Sequence, residues 1–309
     1  MNIYHSLDSF QKLEYGVVTS GTFDGVHLGH QKILARLKEI TQQSGGESVV
    51  LTFWPHPRTV VSEDSQDLQL LSTIEEKIEL FSKLGIQHLV IIPFTRSFSE
   101  LTSDEFIKQF LVQKIGTKKL VIGYDHRFGR NREGSFEFLQ KNCSEYGFEV
   151  EEIPREDIEH TAISSSRIRK ALATGHIHEA NELLGRSYSL SGTVVKGKQL
   201  GRTIGFPTAN LYVHEPYKLI PMNGVYVINA IYQDQVFKGM LNIGVRPTVD
   251  GTVRTIEANL FDFDKEIYGE DLQLELLHYL RPEQKFNGLD MLVKQIGIDK
   301  ENTLAWFAQ

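Results

Sequence analysis

The chain has 309 residues, 40% of them hydrophobic and 24% charged, with a formal net charge of −7. That is ordinary globular composition, long enough for one large or two medium domains, and it argues against an extended nucleic-acid surface, which needs a basic stripe. The single cysteine, Cys143, excludes an internal disulfide and a CxxC zinc site and reads as a small buried hydrophobe. The start, MNIYHSLDSFQKLEYG, has no basic segment leading into a long apolar run, and no stretch reaches about 18 apolar residues. A cytoplasmic protein with no membrane partner is therefore expected.

In chain order, YGVVTSGTF is a short apolar strand ending in a turn. HQKILARLKEITQQ then places Ile33, Leu34, Leu37 and Ile40 on one helical face. ESVVLTFW reads as a buried strand. STIEEKIELFSKLG reads as a helix with Ser72 as N-cap, capping-box spacing from Ser72 to Glu75, and Gly85 beyond its end. QHLVIIPF is a strand, and TSDEFIKQFLVQKIG is a helix closed by Gly116. KKLVIGYD, SFEFLQKNCSEYG and FEVEEIP continue as strand, helix and strand. This alternation predicts a mostly parallel sheet covered on both faces, and such sheets bind ligands beyond the carboxyl ends of their strands. GTFDGVHLGH, WPHPR and GYDHRFG each come directly after a predicted strand, so all three converge on one sheet edge.

SSSRIRKALATGHIHEANELLG reads as one or two linking helices, and Gly185 marks a boundary near residue 186. From Tyr188 the pattern changes. YSLSGTVVKG, GVYVINAIY, QVFKGMLNIG, TVRTIEANLF and LQLELLHYL are strand-like, with turns rich in Gly, Asn and Asp, which predicts an antiparallel barrel or sandwich. Only the tail, GLDMLVKQIGIDKENTLAWFAQ, has a helical pattern. The glycine-bearing segments around 197–205 and near Gly297 are candidates to close over a ligand.

The stretch TSGTFDGVHLGHQKILARL poses the first chemical question. A glycine-containing turn that opens a helix presents backbone N–H groups and a partial positive charge, which suits phosphate. His27 and His30 stand where their rings would donate to phosphate oxygens, Gly29 permits close approach, and Thr22 and Asp24 lie at the strand end. A zinc site and a plain helix start remain alternatives, although the stretch supplies no third metal ligand at standard spacing.

Here the residues resemble a family. HxGH after the first strand, with ISSSRIR later, resembles the nucleotidyltransferase superfamily, and TFDGVHLGH, TFWPHPR and GYDHRFG narrow this to the adenylyltransferase module of bacterial bifunctional riboflavin kinase/FAD synthetases. The resemblance implies a Rossmann-like α/β domain over residues 1–186. It implies that His27 and His30 handle the nucleotide phosphates, with Gly21, Thr22, Phe23, Asp24 and Gly29 around them. Ser165, Ser166 and Arg169 would hold the departing pyrophosphate, and Pro55, His56, Pro57 and Asp125 would line the flavin-phosphate and adenylate site. Read alone, ISSSRIR is a capped helix start with a solvated arginine pair. His126 stands where the family is expected to carry an aromatic, usually Phe.

In the second half, GKQLGRTIGFPTANL places Gly197, Gly201 and Gly205 beside Lys198 and Arg202. Thr208 and Asn210, two apart on an extended chain, point the same way and offer hard oxygen donors suited to Mg²⁺. By itself this is also a Gly-rich turn with a Pro stop. With PMNGVYV, NIGVRPT and TIEANLFDFDKEIYG it resembles the riboflavin kinase domain over 187–309, which implies a β-barrel with a C-terminal helix. The resemblance makes Glu257 the base that deprotonates the ribityl hydroxyl, Thr208 and Asn210 the Mg²⁺ ligands, and Gly197, Lys198, Gly201 and Gly205 the phosphate cradle. Its implied small molecules are riboflavin, FMN, FAD, ATP, ADP and pyrophosphate, with no nucleic-acid partner.

Overall fold

The computed structural model describes residues 1–62, 68–154, 163–197, 199–248 and 251–309. The chain forms two compact units, Met1–Ser165 and Ser166–Gln309.

The first unit is built on six strands: β1 (Asn2–Tyr4), β2 (Gly16–Ser20), β3 (Glu47–Trp54), β4 (His88–Pro93), β5 (Thr117–Gly123) and β6 (Glu149–Ile153). They form one sheet in the order β1-β4-β3-β2-β5-β6, with every neighbouring pair parallel. Period-two alternation divides their apolar residues between two faces. Val17, Val50, Leu89, Ile91 and Val121 pack with Ile33, Leu34 and Leu37 of α1 (Leu28–Ser44). Phe81 of a later helix, Ile74–Lys83, joins the same cluster. Val18, Val49, Leu51, Val90, Leu120 and Ile122 face the other way, against Phe106, Ile107, Leu111 and Leu139. These strands therefore read as continuous apolar runs because both faces are covered.

The helices of this unit are α1, α2 (Pro57–Val61), α3 (Ile74–Lys83), α4 (Arg96–Ser99), α5 (Ser103–Phe106, running into a π-helical stretch Ile107–Ile115) and α6 (Phe136–Tyr146). One boundary differs from the sequence expectation. Thr73, not Ser72, caps α3, and its capping box is closed by Glu76 rather than Glu75. Ser72 is engaged elsewhere: its hydroxyl accepts from the Gly25 N–H at 3.0 Å and its own N–H donates to Asp24. A tertiary contact has taken the residue that local spacing assigned to the cap.

The second unit opens with α7 (Ser165–Ala173, whose first residue closes the first unit) and α8 (Ile177–Leu184). Both are tied to later parts of the same unit. The Met222 N–H donates to the Leu172 carbonyl, and the Asn181 side chain bonds the Tyr188 N–H and the Leu276 carbonyl. Six strands then make a barrel: β7 (Tyr188–Val195), β8 (Ala209–Tyr212), β9 (Gly224–Tyr232), β10 (Gln235–Thr248), β11 (Gly251–Leu260) and β12 (Asp271–Arg281). They close in the order β10-β11-β8-β7-β12-β9, with antiparallel pairing. Closure removes exposed edges and leaves the barrel, not the sandwich, of the two expected forms. A short helix, α9 (Leu200–Thr203), interrupts the β7–β8 connection.

The tail forms α10 (Leu289–Phe307). Gly297 lies inside this continuous helix rather than at a hinge. The helix is docked by a buried ion pair, Arg281 Nε to Asp299 Oδ1 at 2.8 Å and Nη2 to Oδ2 at 2.6 Å, which ties its middle to the end of β12.

Candidate active sites

In the first unit, β3, β2 and β5 are adjacent, and chain order reverses direction between β2 and β5. This is the switch point where open α/β sheets bind ligands. The three sequence motifs leave those three strands, so the structure brings them to one edge as expected. A direct contact joins two of them: Ser20 Oγ, at the end of β2, lies 3.3 Å from His126 Nε2, after β5.

The β2–α1 connection is unusual backbone. Phe23, Gly25 and Val26 have φ of 48°, 81° and 39°. Phe23 is buried, packed edge-on against His30 and Phe81, so its ring belongs to the core. Gly21 and Thr22 are half-buried, and Gly29 is buried in the first turn of α1. Asp24 is 3% exposed, and its Oδ1 accepts from the N–H groups of Leu71 and Ser72 at 2.9 and 3.3 Å. Its carbonyl accepts from Ser165 Oγ at 2.9 Å, which brings Ser165 of the late serine motif to the first one.

His27 is the N-cap of α1. Its Nδ1 accepts from the His30 N–H at 3.3 Å, and the two imidazoles stack with centroids 3.6 Å apart. An accepting Nδ1 assigns the proton of neutral His27 to Nε2, where it can be donated. His56, after β3, repeats the device: its Nδ1 accepts from the Arg58 N–H at 3.2 Å and caps α2. Pro55 is exposed and Pro57 half-buried beside it, and Asp125 is exposed in the turn after β5. Among the described residues no three His, Cys, Asp or Glu side chains gather into a metal-binding group. His126 is half-buried and stacked on Phe128, and burial, then the Arg127 and Arg132 cations, push its pKa down to about 4. Ser166 is exposed and Arg169 half-buried on α7.

Sequence reading missed Lys77. It is buried on α3, with Nζ 3.3 Å from the Thr22 carbonyl. The signal was present: Ile74, Lys77, Ile78 and Phe81 make one apolar stripe, with a lysine in it.

In the second unit, Asn210 of β8 and Glu257 of β11 are directly opposed partners, and Glu257 is also opposed to Asn242 of β10. Opposed residues of an antiparallel pair project from the same face, so the three polar side chains form a row across three strands. Thr208 precedes β8 by one residue and is half-buried, as are Asn210 and Glu257. Gly197 packs against this row. A Cβ on Gly197 would lie 2.6 Å from both the oxygen and the nitrogen of the Asn210 carboxamide. One on Gly201 would lie 2.2 Å from the Phe206 carbonyl and 3.4 Å from Thr208 Oγ1. Gly205 has φ of 82°, a conformation that requires glycine in practice. Lys198 lies outside the described residues.

Two supporting residues were also missed. The Asn259 amide, buried on β11, donates to the Pro207 carbonyl at 2.7 Å and fixes the start of PTAN. Arg254 bonds the Asn223 side chain and the carbonyls of Ile220 and Pro221, which shapes the PMNG turn. Both contacts span tens of residues, beyond any local pattern. No helix among the described residues is long and apolar enough to cross a membrane.

Comparison with known proteins finds two families along the chain. Residues 9–167 match the FAD synthetase family and residues 184–307 the riboflavin kinase family. A bifunctional riboflavin kinase/FMN adenylyltransferase from Listeria monocytogenes is 40% identical, with 95% of this chain and 93% of that protein covered. One of the same description from Haemophilus influenzae is 37% identical, with 99% of both chains covered. A crystal structure from Streptococcus pneumoniae, described as a macrolide-efflux protein, superposes with a TM-score of 0.90 at 32% identity over 98% of both chains.

Proposed function

The chain belongs to the bifunctional riboflavin kinase/FMN adenylyltransferase family, and from that premise we propose which residues carry each of its two reactions. The chain phosphorylates riboflavin with ATP to give FMN and ADP. It then adenylates FMN with a second ATP to give FAD and pyrophosphate. We assign residues 1–186 to adenylyl transfer and 187–309 to the kinase; the family matches at 9–167 and 184–307 support the two activities in that order, while residues 168–183 fall in neither match and pack with the second unit.

The observation that carries the kinase assignment is the opposed pair Glu257 and Asn210. Glu257 takes the proton of the terminal ribityl hydroxyl as that oxygen attacks the γ-phosphorus of ATP and the bond to ADP breaks. Thr208 and Asn210 present oxygens on the same strip of chain. Gly197 leaves the space that the Asn210 carboxamide occupies, and the Thr208 and Asn210 oxygens are the hard donors that Mg²⁺ takes. An Mg²⁺ held by Thr208 and Asn210 would offset phosphate charge. Gly197, Gly201 and Gly205 lie along the phosphates.

In the first unit the nucleophile is an oxygen of the FMN phosphate, already anionic, so no general base is needed. It attacks the α-phosphorus of ATP, and pyrophosphate leaves. His27 and His30 donate to the phosphate oxygens, His27 through Nε2, because its Nδ1 is committed to the cap. Ser165, Ser166 and Arg169 receive the pyrophosphate, and Pro55, His56, Pro57 and Asp125 border the flavin phosphate and adenylate. The whole acts in the cytoplasm, where ATP is supplied, on small molecules rather than on nucleic acid or membrane. The test is product analysis of riboflavin, ATP and Mg²⁺ under oxidising and reducing conditions. FMN should appear first and FAD after it; FMN as the final product under both conditions would remove the adenylyltransferase assignment.

A further inference from the structure

The first unit buries a lysine that neither reaction uses. Lys77 on α3 is 4% exposed. Its Nζ donates to the Thr22 carbonyl at 3.3 Å and reaches Thr52 Oγ1 at 3.5 Å, and the Thr52 hydroxyl donates to the same carbonyl at 3.3 Å. Burying an ammonium is costly, and a hydrophobic residue of similar volume would serve the α3 packing stripe at least as well. The charge therefore needs a reason beyond stability.

What the ammonium touches supplies one. The Thr22–Val26 segment is held from one side by α3 and the residues leading into it, at three points. Thr22 O accepts from Lys77, the Asp24 carboxylate accepts from the Leu71 and Ser72 N–H groups, and the Gly25 N–H donates to Ser72 Oγ. Within this segment Phe23, Gly25 and Val26 all have positive φ. For bulky Phe23 and β-branched Val26 that conformation is strained, and it persists only where the surroundings over-determine it. The next residue is His27, whose ring caps α1 and stacks on His30. Any drift of the segment is passed directly to both imidazoles.

We propose that Lys77 is a positioning residue for adenylyl transfer, pinning the strained Thr22–Val26 segment through the Thr22 carbonyl and so setting where His27 and His30 meet the nucleotide phosphates. This rests on the adenylyltransferase reading of the first unit. The charged groups acting on Lys77 are Asp24, on the segment it holds, and Glu75, on its own helix; both favour its cation. Burial outweighs them and brings its pKa down to about 8.

The experiment uses the full chain with Lys77→Met and Thr52→Val, following FMN to FAD conversion alongside riboflavin phosphorylation as an internal control. Circular dichroism establishes that each variant is folded. For Lys77→Met, kcat for FAD formation should fall at least about tenfold with KM for FMN within about threefold, because misplacement of reacting groups acts on the transition state. Riboflavin phosphorylation should be unchanged. Wild-type FAD-forming kcat should decline above about pH 8, as the Lys77 cation is lost, and Lys77→Met should show no such decline. Thr52→Val keeps the lysine and nearly the same shape, and should lower kcat several-fold; it carries the test if Lys77→Met does not fold. A folded Lys77→Met, or failing that a folded Thr52→Val, with FAD-forming kcat within about twofold of wild type overturns the proposal. Failure of the underlying reading looks different, since the wild-type chain would then make no FAD at all.

Discussion

Asn210 and Glu257 are opposed residues of β8 and β11, so a carboxamide and a carboxylate 47 positions apart in the chain leave the same face of the barrel wall side by side. The kinase predictions start from this pair. Glu257→Gln keeps the size of the side chain and removes its basicity. Riboflavin phosphorylation should fall by about 10²–10⁴-fold, the usual worth of a general base, while FMN supplied directly is still converted to FAD. Loss of both activities in a folded Glu257→Gln protein would contradict two separate sites.

Gly197→Ala tests the packing beneath Asn210. The added methyl would lie 2.6 Å from both terminal atoms of that carboxamide, and the side chain has to move. Gly197 has no positive φ, so the backbone tolerates alanine. Kinase kcat should drop by about ten- to a hundredfold through displacement of the site, with a thermal midpoint near that of wild type. Steady-state kinetics with riboflavin and ATP decides it.

His27 caps α1, and the proposed adenylyl transfer gives it a second, separable duty at Nε2. His27→Asn retains a capping side chain, whereas His27→Ala loses it at a cost of about 1 kcal/mol. Both variants should lose FAD formation, and only His27→Ala should also unfold at lower denaturant. Riboflavin phosphorylation should survive in each. An Asn variant that makes FAD normally would reduce His27 to a cap.

The docking of α10 rests on Arg281 and Asp299, which is 5% exposed at its side chain. Asp299→Ala leaves the partly buried Arg281 guanidinium without its carboxylate and should destabilise the second unit by about 1–3 kcal/mol. Arg281→Met combined with Asp299→Leu should recover much of that loss, because it removes both charges together. Equilibrium urea unfolding of the single and double variants measures the difference.

His126 makes the first unit acid-sensitive. Its folded pKa is about 4 against an ordinary 6.5. Between those values the unfolded chain binds a proton that the folded chain refuses, so stability falls as pH drops from about 6.5 to about 4 and is insensitive to this group above 6.5. His126→Phe keeps an aromatic beside Phe128 and removes this component. The loss in urea midpoint between pH 7 and pH 5 should be smaller in the variant; an equal loss would count against the assignment.

Much of the fold was legible in the amino-acid order. The parity of apolar residues in ESVVLTFW and KKLVIGYD already divides them between two sheet faces, and the position of each motif just after a strand predicts their convergence. The short strands β1 and β8 were not legible. Asn2–Tyr4 is held by pairing to β4, and Ala209–Tyr212 is a strand because β7 and β11 flank it. Neither segment is long enough for its own periodicity to speak.

The amino-acid order by itself determined element types, the two-part organisation, and the residue kinds that phosphate and proton transfer require, because these arise from local periodicity and side-chain chemistry. Only the tertiary structure decided which serine or threonine caps α3, that Lys77 grips Thr22, and that Glu257 faces Asn210. Each of those depends on a partner brought close by sheet order or barrel closure, and register between distant strands is set by the packing of the whole unit rather than by any stretch within it.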